Sequence, residues 1–286
     1  MKPVQEMIAA LAADRESGAS QMAALALEII RSAVRSSQAE GADHLAAEIQ
    51  EVASAMAECR PAMAAIKNTV LRFQDKMNEI STRGLSVEML KRNYEACLDE
   101  LQQELIASKD RSILNVARAI KPGAIIVTCS YSSTLIEAIK KACAGGKRLQ
   151  VRISPSRLGS IDYGERTSQN LLACGEACQV VDDAKTEEAL EGADMVLLGA
   201  DTVFCDGSVL NGYPSLELAQ AAKVHEPPVP VYIAADSSKF TAGPAAKGTE
   251  PGFDLVPGYL IEGFITEDGV SKTAEMLKRE GCNPTD

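Results

Sequence analysis

The hydrophobic pattern changes period once, near Lys121, and that change constrains the fold more than any single motif. Before it, apolar residues recur three or four apart. In SASQMAALALEIIRSAV, Met22, Leu25, Leu27, Ile29, Ile30 and Val34 form a broad helical stripe, with alanines where helices can approach closely. Leu45, Ile49, Val52 and Met56 repeat the pattern in ADHLAAEIQEVASAMAEC. Pro61, after Arg60, reads as the start of a third helix, PAMAAIKNTVLRFQDKM, because a first helical turn leaves its N–H groups unbonded and proline has none. The STRG break ends that helix, with Gly84 supplying the left-handed residue. A long helical pattern then runs through MLKRNYEACLDELQQELIASK and SILNVARAI. No heptad persists, so the expectation is a packed helical domain rather than a coiled coil.

From KPGAIIVTCSYSSTLIEAIKKACAGG onward, short apolar runs alternate with helical segments. AIIVT, RLQVRI, ACQVV, ADMVLLGA, VPVYIAA and YLIEGFIT read as strands, separated by SSTLIEAIKKACA, SQNLLACGEA, KTEEALE and PSLELAQAAKV as helices. Apolar strands alternating with helices imply a mostly parallel sheet covered on both faces. The chain is therefore expected to be α/β in class, with a helical domain over residues 1–119 and a Rossmann-like, mostly parallel sheet domain over 120–286. Ligands of such sheets sit where strand C-termini meet helix N-termini.

Composition narrows the partners. Against 29 Lys+Arg stand 40 Asp+Glu, a formal charge of -11, which disfavours duplex nucleic acid or an anionic membrane surface while permitting a local basic pocket. No stretch approaches the roughly 18 consecutive apolar residues of a membrane span, and the expected compartment is the cytoplasm. With only His44 and His225, and cysteines at 59, 97, 129, 143, 174, 178, 205 and 282 without a close Cys-x-x-Cys pair, no metal site is expected. Cys174 and Cys178 lie four apart in an expected helix and read as small buried hydrophobes. Neither G-x-G-x-x-G at the first strand–helix junction nor a P-loop string occurs, so no cofactor is expected.

The junctions carry the chemistry. Thr128–Thr134, TCSYSST, offers Ser130, Ser132 and Ser133 hydroxyls and backbone amides at a helix N-terminus, where an anion is favoured. The competing reading is a helix cap. Cys129 is a nucleophile by type, but no base is placed beside it by spacing. Asp201 follows the ADMVLLGA strand, where a carboxylate can exchange a proton or accept substrate hydroxyls, and Asn211 follows ten residues later. Asp206-Gly207 reads as a tight turn between them. Ser156 and Arg157 in SPSRLG, Asp236 and Lys239 in AADSSKF, and Arg60 ahead of the third helix supply further polar groups and phosphate counterions.

Taken in order, RESGASQMA, the Arg-Pro before a helix, IIVTCSYSSTLIEAI, VVDDA, GADMVLLGADTVFCDGSVLNG, VPVYIAADSSKF and FDLVPGYLIEGFITEDGV resemble one superfamily. It contains the alpha, beta and delta regulatory subunits of translation initiation factor 2B, ribose-1,5-bisphosphate isomerase and methylthioribose-1-phosphate isomerase. The resemblance implies a helical domain, a Rossmann-like domain and a dimer formed largely through the latter. In the isomerases, a cysteine after Thr-His and the aspartate of the GAD string move protons during aldose-to-ketose conversion. Asp201 matches that aspartate, whereas Ser130 stands at the cysteine position and Cys129 at the histidine position, closer to the initiation-factor branch. Gly212 stands where the family usually has lysine after its Asn, and RISPSR replaces its Glu-Ser-Arg-Pro loop.

These readings lead to an initiation-factor-2B-like homodimer that binds a phosphorylated sugar or nucleotide in an interdomain cleft. The expected ligand set is Arg60, Ser132, Ser133, Arg157, Asn211 and Lys239, with Asp201, Ser130 and Cys129 as candidate catalytic groups. The alternatives are a sugar-phosphate aldose–ketose isomerase and a regulatory subunit that binds a protein partner.

Overall fold

The computed structural model describes residues 2–172, 177–182, 185–243 and 250–279. The chain forms two compact units, Met1–Ala107 and Ser108–Asp286. They part inside one long helix, at whose end the sequence-based boundary falls.

The first unit holds α1 (Lys2–Ala13), α2 (Ala19–Ser36), α3 (Ala42–Glu58), α4 (Ala64–Ser81) and the first part of α5 (Val87–Ala119). α2 buries Met22, Ala23, Ala26, Leu27, Ile30 and Val34 and packs on α1, α3 and α4. Leu25, expected on the apolar stripe, is instead 40% exposed. Phe73 and Tyr94 meet edge to face at 6.1 Å, and the Tyr94 hydroxyl shares a 2.7 Å hydrogen bond with Ser81. Pro61 does not open α4 as expected: the Met63 amide donates to the Arg60 carbonyl, closing a turn around Pro61, and the helix starts at Ala64. Proline at the second position of a turn uses the same fixed φ that suits a helix start, so the string alone does not separate the two. Gly84, at φ 63°, breaks the chain where expected.

In the second unit the six expected strands all form: β1 (Ile125–Thr128), β2 (Gln150–Ile153), β5 (Ala177–Val180), β6 (Met195–Leu198), β9 (Val231–Ala234) and β12 (Gly263–Thr266). They pair in parallel, and β13 (Gly269–Lys272) adds an antiparallel edge, giving the order β13-β12-β9-β6-β1-β2-β5. Strand order thus reverses direction between β1 and β6, the switch point at which ligands of open α/β sheets bind.

Alternate residues of β1, β6, β9 and β12 enter two separate cores. Val127, Val196, Leu198, Ile233 and Phe264 face one side, with Leu190 of α8 (Thr186–Leu190), Leu218 and Ala222 of α9 (Ser215–Val224), and Met276 of α10 (Thr273–Arg279). Ile126, Val151, Leu197, Ala234 and Ile265 face the other, with Val116 of α5, Ile139 of α6 (Ser133–Ala144) and Leu171 of α7 (Tyr163–Leu172). Burial on both faces is why β1, β6, β9 and β12 read as apolar runs, whereas β2 and β5 interleave Gln150, Arg152 and Gln179 with apolar residues.

Shorter elements did not stand out in the sequence. β7 (Thr202–Phe204), β8 (Val209–Gly212), β10 (Phe240–Thr241) and β11 (Phe253–Val256) form a small mixed sheet in the order β10-β7-β8-β11, and β3 (Arg157–Leu158) with β4 (Ile161–Asp162) forms a hairpin. The helix expected over SQNLLACGEA runs instead over α7, so Cys178 lies in strand β5; Cys174 falls outside the described residues. Among the described residues no helix is long and apolar enough to cross a membrane.

Candidate functional site

The loop after β1 carries the first junction. Ser130 takes a left-handed φ of 62°, uncommon for a residue with a side chain. Its N–H donates to Ser156 Oγ at 2.6 Å, and its carbonyl accepts from Thr167 Oγ1 at 2.9 Å. Ser156, itself at φ 55°, donates back to the Ser154 carbonyl. The loop is therefore clamped on both peptide faces of Ser130 by groups from the β2 end and α7. The Arg166 guanidinium lies 4.2 Å above the Tyr131 ring, a further tie from α7. Ser132 is the N-cap of α6, accepting from the Leu135 amide at 3.4 Å, so the cap reading holds for this hydroxyl.

Two glycines let neighbouring strands close on this loop. A Cβ at Gly199, past the end of β6, would stand 2.9 Å from Ser132 Oγ and 3.4 Å from Asn211 Oδ1. A Cβ at Gly212 would stand 2.8 Å from Ser130 Cβ and closer still to its hydroxyl. Ser132, Gly199 and Asn211 thus share one spot, and Ser130 packs on the backbone of Gly212. Both contacts lie at the switch point between β1 and β6.

Asn211 is 5% exposed, and its amide donates to Ser215 Oγ at 2.7 Å. Ser215 Oγ donates in turn to the Gly212 carbonyl at 2.6 Å and lies 3.3 Å from Cys129 Sγ. Cys129, 1% exposed, belongs to the core packed on α9. It faces the Ser215 hydroxyl, while Ser130, its chain neighbour, packs at Gly212. Asp254 opposes Asn211 across the β8–β11 pair and accepts from the Leu216 amide at 3.1 Å, in the first turn of α9. Burial pushes the Asp254 carboxyl above its ordinary value, and the Leu216 bond only partly offsets this.

Asp201 sits where the chain leaves the large sheet for the small one, its N–H donating to the Leu210 carbonyl at 2.8 Å. Asp206 is a turn residue as expected, accepting from Ser208 N at 2.9 Å and Ser208 Oγ at 2.5 Å. Asp236 accepts from Ser238 and caps the short turn after β9 that bears Lys239. Lys239 is only 4% exposed, and among the described residues its ammonium makes no hydrogen bond or ion pair. A lysine held with most of its side chain covered and its ammonium without a counter-charge is suited to an incoming anion.

A second ammonium has no sequence motif around it. Lys109, late in α5, reaches Ser133 Oγ at 3.3 Å, on the first residue of α6. It lay inside a charge-rich helical run, SKDRS, and gave no motif signal. Buried hydroxyls of Thr128 and Thr134, flanking the same loop, find no partner among the described residues. Arg157, by contrast, pairs with Asp162 at 2.8 Å across its hairpin, on the exposed surface. Arg60 lies in the helical unit, buried, with its guanidinium donating to the Asp14 carbonyl.

A helical unit followed by an open parallel sheet with polar junctions at its switch point defines a two-unit α/β protein. The chain belongs to the initiation factor 2 subunit family, whose model matches residues 15–248; its superfamily spans the initiation factor 2B alpha, beta and delta subunits and the two sugar-phosphate isomerases. A translation initiation factor eIF-2B subunit 2-like protein of Pyrococcus abyssi is 30% identical over 240 residues, 78% of this chain and 80% of that protein. The ribose 1,5-bisphosphate isomerase of Haloferax volcanii is 24% identical over 280 residues, 88% and 83% of the two chains. The crystal structure of translation initiation factor eIF-2B from Pyrococcus horikoshii superposes with a TM-score of 0.81 at 24% identity, covering 97% of this chain and 99% of the other, a likeness of fold.

Proposed function

We propose that the α/β unit binds a phosphorylated sugar or nucleotide at the switch point between β1 and β6. The observation that carries this reading is Lys239, a residue only 4% exposed whose ammonium lacks a counter-charge among the described residues. The N-terminus of α6, with Ser132, Ser133 and Lys109, supplies a phosphate cradle, because its amides and dipole favour negative charge. Asn211 and Asp201 are assigned to ligand hydroxyls. Arg60 and Arg157 stay in the ligand set on the family resemblance, Arg157 after exchanging Asp162 for a ligand oxygen.

The reading extends to a cytoplasmic homodimer, supported by Val224 and Tyr259, 79% and 73% exposed, on neighbouring segments of the α/β unit. The interdomain cleft and a regulatory protein partner belong to the same proposal and rest on resemblance.

The isomerase reading has one specific support, the 24% identity to ribose 1,5-bisphosphate isomerase across most of both chains. In it, the C1–O4 ring bond opens with the phosphate kept on C1, Asp201 takes the proton from C2 and returns one to C1, and the C2 hydroxyl proton ends on the former ring oxygen O4, leaving a ketone at C2. Ser130 is then an orienting group, since an alcohol is a weak acid unless a base activates it. Cys129, committed to the core and to Ser215, would have to turn to serve. Binding without conversion is therefore favoured.

An NMR time course with ribose 1,5-bisphosphate and 5-methylthioribose 1-phosphate tests the proposal. Shifted or broadened phosphorus resonances without product support binding. Appearance of the ketose establishes the isomerase, and Asp201→Asn then abolishes turnover while binding persists. Unperturbed resonances at millimolar ligand overturn both.

A further inference from the structure

The two lysines are borne by segments that one carboxylate ties together. Glu267, at the C-terminal end of β12, accepts from Ser108 Oγ on α5 and, in the turn after β9, from Ser237 Oγ at 2.6 Å and Ser237 N at 3.1 Å. Ser108 immediately precedes Lys109, and Ser237 lies two residues before Lys239. Around the carboxylate, Asn115 of α5 donates to the carbonyls of Thr266 and Glu267 at 2.9 and 3.0 Å. Ser112 of α5 lies 3.5 Å from the Ala235 carbonyl. The segments bearing Lys109 and Lys239 therefore meet at Glu267, although they are 130 residues apart in the chain, 239 less 109.

We infer that Glu267 is a positioning residue that fixes the separation of Lys109 and Lys239 for a ligand carrying two anionic groups. The inference rests on the binding reading above and adds to it a residue that touches no ligand. A carboxylate suits the task because both its oxygens accept, and three donors from two segments converge on it. Each ammonium alone attracts one phosphate whatever its partner does. Gripping two groups at once requires the two cations to be held at a set distance, and slack between them lowers the effective concentration of the second contact. Burial raises the Glu267 carboxyl, but the Ser108 and Ser237 bonds outweigh it and hold the group below its ordinary value, so it is ionised when it accepts.

The test measures ribose 1,5-bisphosphate and ribose 5-phosphate affinities by calorimetry for the full chain, Glu267→Gln and Ser237→Ala. Glutamine keeps the volume and one acceptor but turns the other into a donor, and Ser237→Ala removes one tie while leaving the carboxylate in place. The expected result is a loss of about tenfold in bisphosphate affinity for Glu267→Gln, and a smaller loss for Ser237→Ala, with monophosphate affinity changed less than about twofold. An equal fall for both ligands, or no change in either, overturns the inference in favour of a purely structural tie. If Glu267→Gln fails to fold, the ratio in Ser237→Ala decides. A wild-type chain that binds neither ligand overturns the binding reading and this inference with it, whereas wild-type binding with an unchanged ratio overturns the inference alone.

Discussion

The side chain of Ser130 occupies the space that a side chain at Gly212 would need, its Cβ 2.8 Å from where a Cβ on Gly212 would stand. The two positions are 82 residues apart, 212 less 130, and are both departures from the isomerase pattern. Ser130 reaches that space only because its left-handed backbone is clamped by Ser156 and Thr167. A long side chain at 212 and this placement of Ser130 exclude each other, so the serine and the glycine form one steric unit.

Gly212→Ala is therefore expected to destabilise the fold by about 1–3 kcal/mol through overpacking. Ser130→Gly removes the obstructing side chain and relieves the left-handed φ, so the double variant should recover most of the loss. A urea-unfolding double-mutant cycle checks this, and additive effects would refute the contact.

Lys239→Met should separate stability from binding. Replacing a largely covered lysine side chain that lacks a counter-charge with an apolar one is expected to hold stability or raise it by up to about 1 kcal/mol, while phosphate-ligand affinity falls at least about tenfold. Thermal unfolding and calorimetry on the same preparation read the two effects, and a loss of stability above about 1 kcal/mol would show that the ammonium has a compensating partner.

Two carboxylates should impose opposite pH dependences. Glu267 titrates below its ordinary value in the folded chain, so its stabilisation is fully present above about pH 4.5 and is lost as pH falls through the folded value. Asp254 titrates above its ordinary value, so its penalty appears as pH rises past about 4, where the unfolded chain ionises first. Asp254→Asn keeps an acceptor for the Leu216 amide and should stabilise at pH 7 but not at pH 3. Glu267→Gln should flatten the acid limb of the stability profile, measured by denaturant unfolding at each pH.

Burial pushes the Cys97 thiol up to about 11. At pH 8 about one part in a thousand is then thiolate, the reactive form. Alkylation followed by peptide mass mapping should leave Cys97 unmodified in the folded chain and modify it once denaturant is added. Rapid native labelling would show that the helical core opens there.

The periodicity of the sequence determined the two-part architecture and the parallel strands, because the central strands, buried on both faces, must be apolar, and amphipathic helices must repeat near 3.6 residues. It also placed Asp201, Ser132 and Lys239 at strand ends or loops, since junction chemistry follows directly from element order; Asn211, by contrast, lies within β8. Only the tertiary structure decided that Pro61 makes a turn, that Arg157 is spent on Asp162, and that Cys129 enters the core while Ser130 packs on Gly212. Lys109, Asp254 and Glu267 gave no local signal of a role at the site, although the last two stood in the FD and TEDG strings. Their placement depends on contacts between segments far apart in the chain, and a pattern of local period carries no information about which distant segment will arrive beside it. The small sheet was missed for the same reason: strands of two to four residues are held by partners brought together by the large sheet, not by their own composition.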